Sequence, residues 1–458
     1  MKPLQLPLSS STASVCPECL RPLPAVLVGD GEDAYLEKRC PVHGWFKTVV
    51  WRGSPSLESW RRDKTPTSPA APHHPGQSRG CPWDCGLCAQ HRQRSCTVLV
   101  EVTGRCDLRC PVCFADSGGG ADTDPDLAAL DERLRRAFAQ SGPVPVQLSG
   151  GEPTMRDDLP EVIALARRIG FPHVQLNTNG LRLARESGYA GTLRDAGVSW
   201  VFLQFDGTND AVFTHLRGQP LLETKLTAIR ACGQAGLGVV LVPTVTPGVN
   251  DHDLGGLIRL AARHVPTIRG VHFQPLSYFG RYPHPPDDNQ RITLPEIIRG
   301  LEKQTHGQIQ MDHLRPPGCE HERCSFHGNF LVQPDGVLHS LGPSRSCCGP
   351  DFSSPVDGAQ TAVDVVARQW SAPRPMEEAS ASSAQQIPGA LDVFLQQSRR
   401  TLAVTAMAFQ DAWTLDLERL KGCCIHVAAP DGRLVPFCAW NLTSRNGQSP
   451  HSQRTWPC

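Results

Sequence analysis

The segment Thr103-Gly104-Arg105-Cys106-Asp107-Leu108-Arg109-Cys110-Pro111-Val112-Cys113 constrains this chain more than any other. It follows the apolar run Val98 to Val102, and its CxxxCxxC spacing gathers three thiols in one tight loop. A 4Fe-4S cluster normally takes four thiolates. A loop offering three leaves one iron open, a Lewis-acid position for a substrate beside a cluster that can donate an electron. The same cysteines could serve a zinc site or a disulfide group, but zinc knuckles more often pair two CxxC or CxxH units.

Composition narrows the field. A chain of 458 residues can bury one large domain with smaller modules. Its 45 basic and 45 acidic residues cancel, which argues against an electrostatic nucleic-acid or membrane-surface binder. No apolar run approaches the roughly 18 residues of a membrane span, and Met1-Lys2-Pro3-Leu4 opens no signal-peptide stretch. The expectation is a cytoplasmic protein, not an integral membrane one. In a reducing compartment its 19 cysteines read as metal ligands rather than disulfides. They cluster: Cys16, Cys19 and Cys40; Cys81, Cys85, Cys88 and Cys96; Cys106, Cys110 and Cys113; Cys319, Cys324, Cys347 and Cys348; Cys423, Cys424 and Cys438. Cys232 and Cys458 stand apart, and Cys232, in a helical pattern, reads as a buried inert thiol.

Four units are expected. Residues 1–61 form a metal-binding ribbon: Cys16, Cys19, Cys40 and His43 flank a hairpin of Ala25–Val28 and Tyr35–Lys38, and hold zinc, or iron. Residues 62–96 are a Pro-, Ser- and His-rich linker followed by Cys81, Cys85, Cys88 and Cys96, four possible ligands for an auxiliary cluster. Residues 97–290 alternate strands (Val98–Val102, Val144–Leu148, His173–Leu176, Trp200–Phe205, Val239–Val242, Val271–Phe273) with helices, which predicts parallel α/β architecture. Gly170 is expected to end one helix, and Asn250 to cap another. Residues 291–458 carry hairpins turning at Pro334-Asp335-Gly336 and Pro430-Asp431-Gly432, a loosely ordered stretch at 371–388, and a helix around Leu391 to Leu420. Cys319, Cys324, Cys424 and Cys438 from the two hairpins are expected to meet around a further auxiliary cluster.

Polar residues stand at each predicted strand end: Ser149-Gly150-Gly151-Glu152-Pro153, Asn177 and Asn179, Gln204 and Asp206, Pro243 and Thr244, Gln274. In parallel barrels that rim carries the chemistry.

The cysteine loop and the Gly-Gly-Glu-Pro segment about forty residues on resemble the radical S-adenosylmethionine (SAM) superfamily. The resemblance implies a partial (βα)6 barrel, a catalytic 4Fe-4S cluster on Cys106, Cys110 and Cys113, and SAM bound at the open iron and cleaved to a 5′-deoxyadenosyl radical. Gly150 and Gly151 would let the backbone approach the methionine, Glu152 would fix that loop, and Asn177, Asn179, Gln204 and Asp206 would face the ribose and sulfonium. Many members carry an aromatic residue where this chain has Val112; Phe114 follows the last cysteine instead.

The order of ribbon, Cys81 loop, catalytic loop and cysteine hairpins resembles the branch containing archaeal tetraether lipid synthase and the hydroxymethylpterin methylase. That implies carbon–carbon bond formation, by methylation or coupling, on a lipid- or pterin-like substrate. It also implies one or two auxiliary clusters and a reductase such as ferredoxin or flavodoxin, and leaves open a partner methyltransferase. A peptide-modifying radical enzyme is the nearest alternative. A non-catalytic multi-metal protein would have no use for six βα units and the Gly-Gly-Glu-Pro loop.

Overall fold

The computed structural model describes residues 9–61, 79–118, 124–318, 320–342, 367, 369–371 and 400–451. Cys319, Cys347, Cys348 and Cys458, and the stretches expected to be linker or loosely ordered at 62–78 and 372–388, lie outside them.

At the N-terminal end β1 (Ser9–Val15), β2 (Pro22–Asp30), β3 (Asp33–Cys40) and β4 (Gly44–Trp51) pair antiparallel in sequence order. Gly31, at φ +62, makes the β2–β3 turn where a side chain would be strained. β3 turns Ala34, Leu36, Lys38 and Cys40 inward, the period of two that a half-buried strand requires. Lys38 is fully covered, and its ammonium donates to Ser14 Oγ (2.9 Å) and to the carbonyls of Ala412 (2.9 Å) and Trp413 (2.8 Å), seating the ribbon on the C-terminal part of the chain. Arg52, paired with Glu296 at 2.8 Å, fastens its other end.

The main sheet uses β5 (Thr97–Thr103), β6 (Val146–Gly150), β7 (Val174–Thr178), β8 (Val198–Gln204), β9 (Gly238–Val242), the short β10 (Thr244–Val245) and β11 (Ile268–Pro275). These match the six predicted strands, with β10 added beside the end of β11. Between them and after them run α1 (Leu127–Ser141), α2 (Leu159–Ile169), α3 (Leu181–Arg185), α4 (Tyr189–Ala196), α5 (Asp210–Arg217), α6 (Leu222–Ala235), α7 (Leu254–Arg263) and α8 (Leu294–Gln304). Their apolar stripes, such as Leu159, Val162, Ile163 and Ala166 of α2, join the strand residues Val100, Leu148, Leu176 and Leu203 in one core. Gly170 ends α2 as expected, and Cys232 is buried in α6, where desolvation pushes its thiol up to about 12. Asn250 is not the cap of α7; Asp253 takes the capping position. Asn250 instead accepts from Thr246 N (2.7 Å) and donates to Asp206 O (2.8 Å) and Thr244 O (2.9 Å), tying two rim loops together.

The C-terminal residues change the sheet. β12 (Ser325–Val332) and β13 (Leu338–Ser340) form the Pro334-Asp335-Gly336 hairpin, and β15 (Ile425–Ala428) and β16 (Leu434–Pro436) the Pro430-Asp431-Gly432 hairpin. The helix expected around Leu391 to Leu420 is a correction. Its first residues fall outside those described, Thr401–Met407 is a strand, β14, and only Leu417–Leu420 makes a helical turn. Leu402, Val404 and Ala406 pack inward while Thr401 and Thr405 are half-exposed, a strand alternation that a long helical window obscures. β14 adds parallel to β11, and β15 adds parallel to β5. Among the described residues the parallel run is thus β14-β11-β9-β8-β7-β6-β5-β15, flanked by the antiparallel β12-β13 and β16. No helix among the described residues is long and apolar enough to cross a membrane.

Candidate active site and cysteine groups

β5 is buried throughout, so the chain leaves the sheet rigidly into the cysteine loop. Arg105 N donates to Thr103 Oγ1 (3.0 Å), and the Arg105 guanidinium holds Asp124 and Met155 O. Gly151 N donates to Thr103 O and Glu152 N to Arg105 O, both at 2.8 Å, so the Gly-Gly-Glu-Pro segment lies directly on the base of the loop. A Cβ on Gly150 would come 2.2 Å from Thr103 O, and one on Gly151 2.1 Å from Arg105 O. The close approach these glycines permit is therefore to the cysteine loop itself. From the other side, Arg281 clamps the loop: it exchanges backbone bonds with Cys113 (2.9 and 3.0 Å), and its guanidinium donates to Cys110 O (3.0 Å), Ser117 O (3.1 Å) and Asp116 (2.9 Å).

Cys106, Cys110 and Cys113, with Gly150, Gly151 and Glu152, line a cavity of about 350 Å³ that runs down the barrel interior. Three half-buried thiols from one loop opening onto a cavity, with bare glycine backbone opposite, suit a cubane with one iron facing inward. Burial pushes Cys106 up to about 12 and raises Cys110 as well, the latter opposed by Arg217, whose guanidinium reaches the Cys110 thiol.

The rim residues singled out in the sequence take distinct places. The Glu152 carboxylate is fully buried and accepts from Thr154 N (3.0 Å), Thr154 Oγ1 (2.6 Å), Thr178 Oγ1 (2.7 Å) and Asn179 N (2.6 Å). Burial raises its pKa while these bonds oppose the shift. It is a clamp joining the ends of β6 and β7. Asn179 donates to Asp107 in the cysteine loop (2.7 Å) and accepts from Leu181 N (2.9 Å). Gln204 accepts from Lys225 Nζ at 2.8 Å; burial lowers Lys225 to about 8. Asp206 is wholly buried and does not line the cavity; both its oxygens accept from Arg217 at 2.7 Å. Arg217, which does line it, was missed in the sequence, as were Lys225, Arg281 and two barrel-interior amides, Gln147 and Gln175, that line the cavity beside the expected Asn177.

The ribbon thiols and His43 converge as expected: the ligand atoms of Cys16, Cys19, Cys40 and His43 all lie within 4.8 Å of one another, with His43 Nδ1 3.5 Å from both Cys16 and Cys40. That compactness fits a single ion. Burial raises the Cys40 thiol, yet hydrogen bonds from Val42 N, His43 and Cys16 outweigh it and leave it at about 6.

Cys81, Cys85 and Cys88 sit in mutual contact. Cys96 does not simply close that group. Its sulfur lies 3.1 Å from that of Cys424, and its N–H donates to Cys424 O at 2.8 Å. Cys423, Cys324 and Cys438 adjoin the same place: Cys324 Sγ accepts from Arg419 Nε (3.0 Å) and Cys438 Sγ from Gln410 N (3.2 Å). Cys96 and Cys424 precede the adjacent strands β5 and β15, while Cys324 precedes β12 beyond the opposite edge, so this group spans the open seam of the barrel.

Residues 100–261 match the radical SAM superfamily model, and residues 8–52 match the HMPTM N-terminal zinc ribbon domain. Over 481 aligned residues, 96% of this chain and 94% of the relative, the chain is 32% identical to the 7,8-dihydro-6-hydroxymethylpterin dimethyltransferase of Methanocaldococcus jannaschii. The chain belongs to the radical SAM superfamily. It is therefore an enzyme whose cofactors are SAM and 4Fe-4S iron, with a metal-binding ribbon in front of the barrel. A further relative is matched over a shorter span: a probable GTP 3′,8-cyclase of Methanothermobacter thermautotrophicus is 32% identical over 36% of this chain and 53% of its own length. Among solved structures, Streptococcus suis SuiB aligns over 46% of each chain at 16% identity and a TM-score of 0.38.

Proposed function

We propose that this radical SAM enzyme methylates a pterin-like small molecule, forming a carbon–carbon bond on the ring system. The observation that carries the reading is the 32% identity to the hydroxymethylpterin dimethyltransferase over 96% of this chain and 94% of that protein, alongside the ribbon match at residues 8–52 and the radical SAM match at 100–261. Cys106, Cys110 and Cys113 would hold the catalytic cluster, and the backbone of Gly150 and Gly151, with Asn179 and Gln204 beside it, would face SAM across the cavity. When bound, the reduced cluster supplies the electron that cleaves SAM to a carbon radical. The protein's own part is to keep that radical from water and place substrate against it: Phe114, Phe279, Phe409 and Phe437 line the same cavity near the Cys113 end.

Cys96, Cys324, Cys424 and Cys438 would take one auxiliary cluster, with Cys423 as the surplus thiol. Cys81, Cys85 and Cys88 would take another, and Cys16, Cys19, Cys40 and His43 a zinc or iron ion. We place the enzyme in the cytoplasm, where its cysteine groups would be kept reduced for metal, with a ferredoxin or flavodoxin as electron donor. Anaerobic incubation of the iron-loaded protein with SAM, dithionite and 7,8-dihydro-6-hydroxymethylpterin tests the reading. A methylated pterin with matching 5′-deoxyadenosine supports it. SAM cleavage that the pterin neither accelerates nor couples to product refutes the pterin substrate.

A further inference from the structure

The cavity is also lined, away from the cysteine loop, by a connected chain of polar side chains. Gln147 on β6, Gln175 on β7 and Trp200 on β8 stand opposite one another in the strand register, with Asn177 one step further along β7, and all line the cavity. Trp200 Nε1 donates to Gln175 Oε1 (2.8 Å), Gln175 Nε2 to Asn177 Oδ1 (2.6 Å), Asn177 Nδ2 to Gln147 Oε1 (3.3 Å), Gln147 Nε2 to Thr97 Oγ1 (3.2 Å), and Thr97 Oγ1 to Pro145 O (3.1 Å).

An amide can be turned end for end, so its orientation ordinarily has to be assigned. Here it is forced. An indole nitrogen can only donate, so Gln175 must present its oxygen to Trp200 and its NH2 to Asn177, and each later link follows. Each NH2 uses one hydrogen in the chain, and each carbonyl one lone pair, which leaves every amide a second hydrogen and a second lone pair.

Parallel strands buried on both faces normally run apolar. Three neutral amides there, each already bonded once through its oxygen and once through its nitrogen, keep further hydrogen-bonding capacity that a guest in the cavity can take up. An acyl chain could not take it up. Anions would be drawn elsewhere in the cavity, to Arg217 beside Asp206. The neighbouring walls are Phe202, Trp370 and His272, with ring centroids 4.8 Å (Phe202–Trp370) and 5.6 Å (Phe202–His272) apart. They favour a flat guest.

We propose that the Trp200–Gln175–Asn177–Gln147–Thr97 chain is the recognition edge for the substrate, and that it selects a neutral, planar heteroaromatic ring bearing an amide- or guanidine-like edge. The assignment rests on the pterin reading above and moves Asn177 from the cofactor to the substrate.

The test measures anaerobic equilibrium binding of SAM and of 7,8-dihydro-6-hydroxymethylpterin, the latter with SAM present, to iron-loaded wild type, Asn177→Leu and Trp200→Phe. Removing the central amide should weaken pterin binding roughly 10- to 100-fold while SAM affinity and iron content stay within about two-fold. Trp200→Phe keeps an aromatic ring and removes only the donor that sets the direction, so it should also weaken the pterin, through positioning, and leave SAM alone. If Asn177→Leu loses iron, Trp200→Phe decides. Weakened SAM binding with unchanged pterin binding overturns the assignment, as does unchanged pterin binding in Trp200→Phe. A wild-type protein that does not bind the pterin overturns the pterin reading, and this assignment with it.

Discussion

Replacing Gly151 by alanine forces a Cβ to within 2.1 Å of Arg105 O, 2.8 Å of its carbonyl carbon and 2.9 Å of Gly104 O. Ordinary contact begins near 3.4 Å, and all three atoms are backbone, so no side chain can swing away. Either the end of β6 or the start of the cysteine loop must move by more than an ångström. Overpacking of this kind costs about 1–3 kcal/mol. The movement also breaks the bonds from Gly151 N to Thr103 O and from Glu152 N to Arg105 O, each 2.8 Å and each worth about 1 kcal/mol. Together these approach about 3–5 kcal/mol, concentrated one residue from Cys106, enough to displace that thiol from a position it must share with Cys110 and Cys113. Gly151→Ala should therefore lose the catalytic cluster: iron per chain after anaerobic reconstitution drops by about one cluster, 5′-deoxyadenosine production disappears, and auxiliary iron remains. If iron stays at the wild-type level and only SAM affinity falls, the glycine faces the cofactor rather than the loop, and the steric reasoning here is wrong.

A Cys106→Ala, Cys110→Ala, Cys113→Ala variant should keep auxiliary iron and lose SAM cleavage; continued 5′-deoxyadenosine formation would move the catalytic role to the Cys81 loop. Cys96→Ser and Cys324→Ser should abolish the same auxiliary cluster signal in electron paramagnetic resonance, and Cys85→Ser a different one; a shared loss of Cys96 and Cys85 would return Cys96 to the Cys81 group. Burial lowers His272 from 6.5 to about 4, so between those values the unfolded chain takes up a proton that the folded one refuses. Stability should fall with pH across that window, by on the order of 3 kcal/mol in full, and His272→Gln should flatten the fall in urea midpoint between pH 7 and pH 5; parallel slopes would count against it. Chelating the ribbon metal should expose Trp51, which is buried in β4, to fluorescence quenchers; an unchanged spectrum would mean that the ribbon stands on Lys38 and its strands alone.

The spacing of Cys106, Cys110 and Cys113, the alternation of apolar runs and the two Pro-Asp-Gly turns are local signals, and they located the three-cysteine loop at the end of β5, six strands and both hairpins. What the sequence hid is distant pairing. Cys96 and Cys424 lie 328 residues apart, and nothing near either names the other. Arg217 and Arg281 look like ordinary surface charges until Asp206 and the cysteine loop are brought against them. β14 was read as helix because Leu402, Val404 and Ala406 sit inside a longer stretch whose apolar spacing also suits a helix. One signal was available and unused: Gln147 and Gln175 interrupt strands that otherwise read as continuous apolar runs, and a polar residue in the middle of such a strand demands a partner.

The sheet is completed from its two ends by strands that come late in the sequence. β5 and β11 are strands with open edges until β15 and β14 arrive, roughly 150 and 125 residues respectively after β11 has left the ribosome. At synthesis rates of about 5–20 residues per second, that is an interval of about ten to thirty seconds. During it, two rows of unpaired backbone donors and acceptors are exposed on apolar strands, the condition that invites pairing with another nascent chain. Yield in a foreign host should then depend on how slowly, and how crowded with sister chains, the stretch between β11 and β15 is translated.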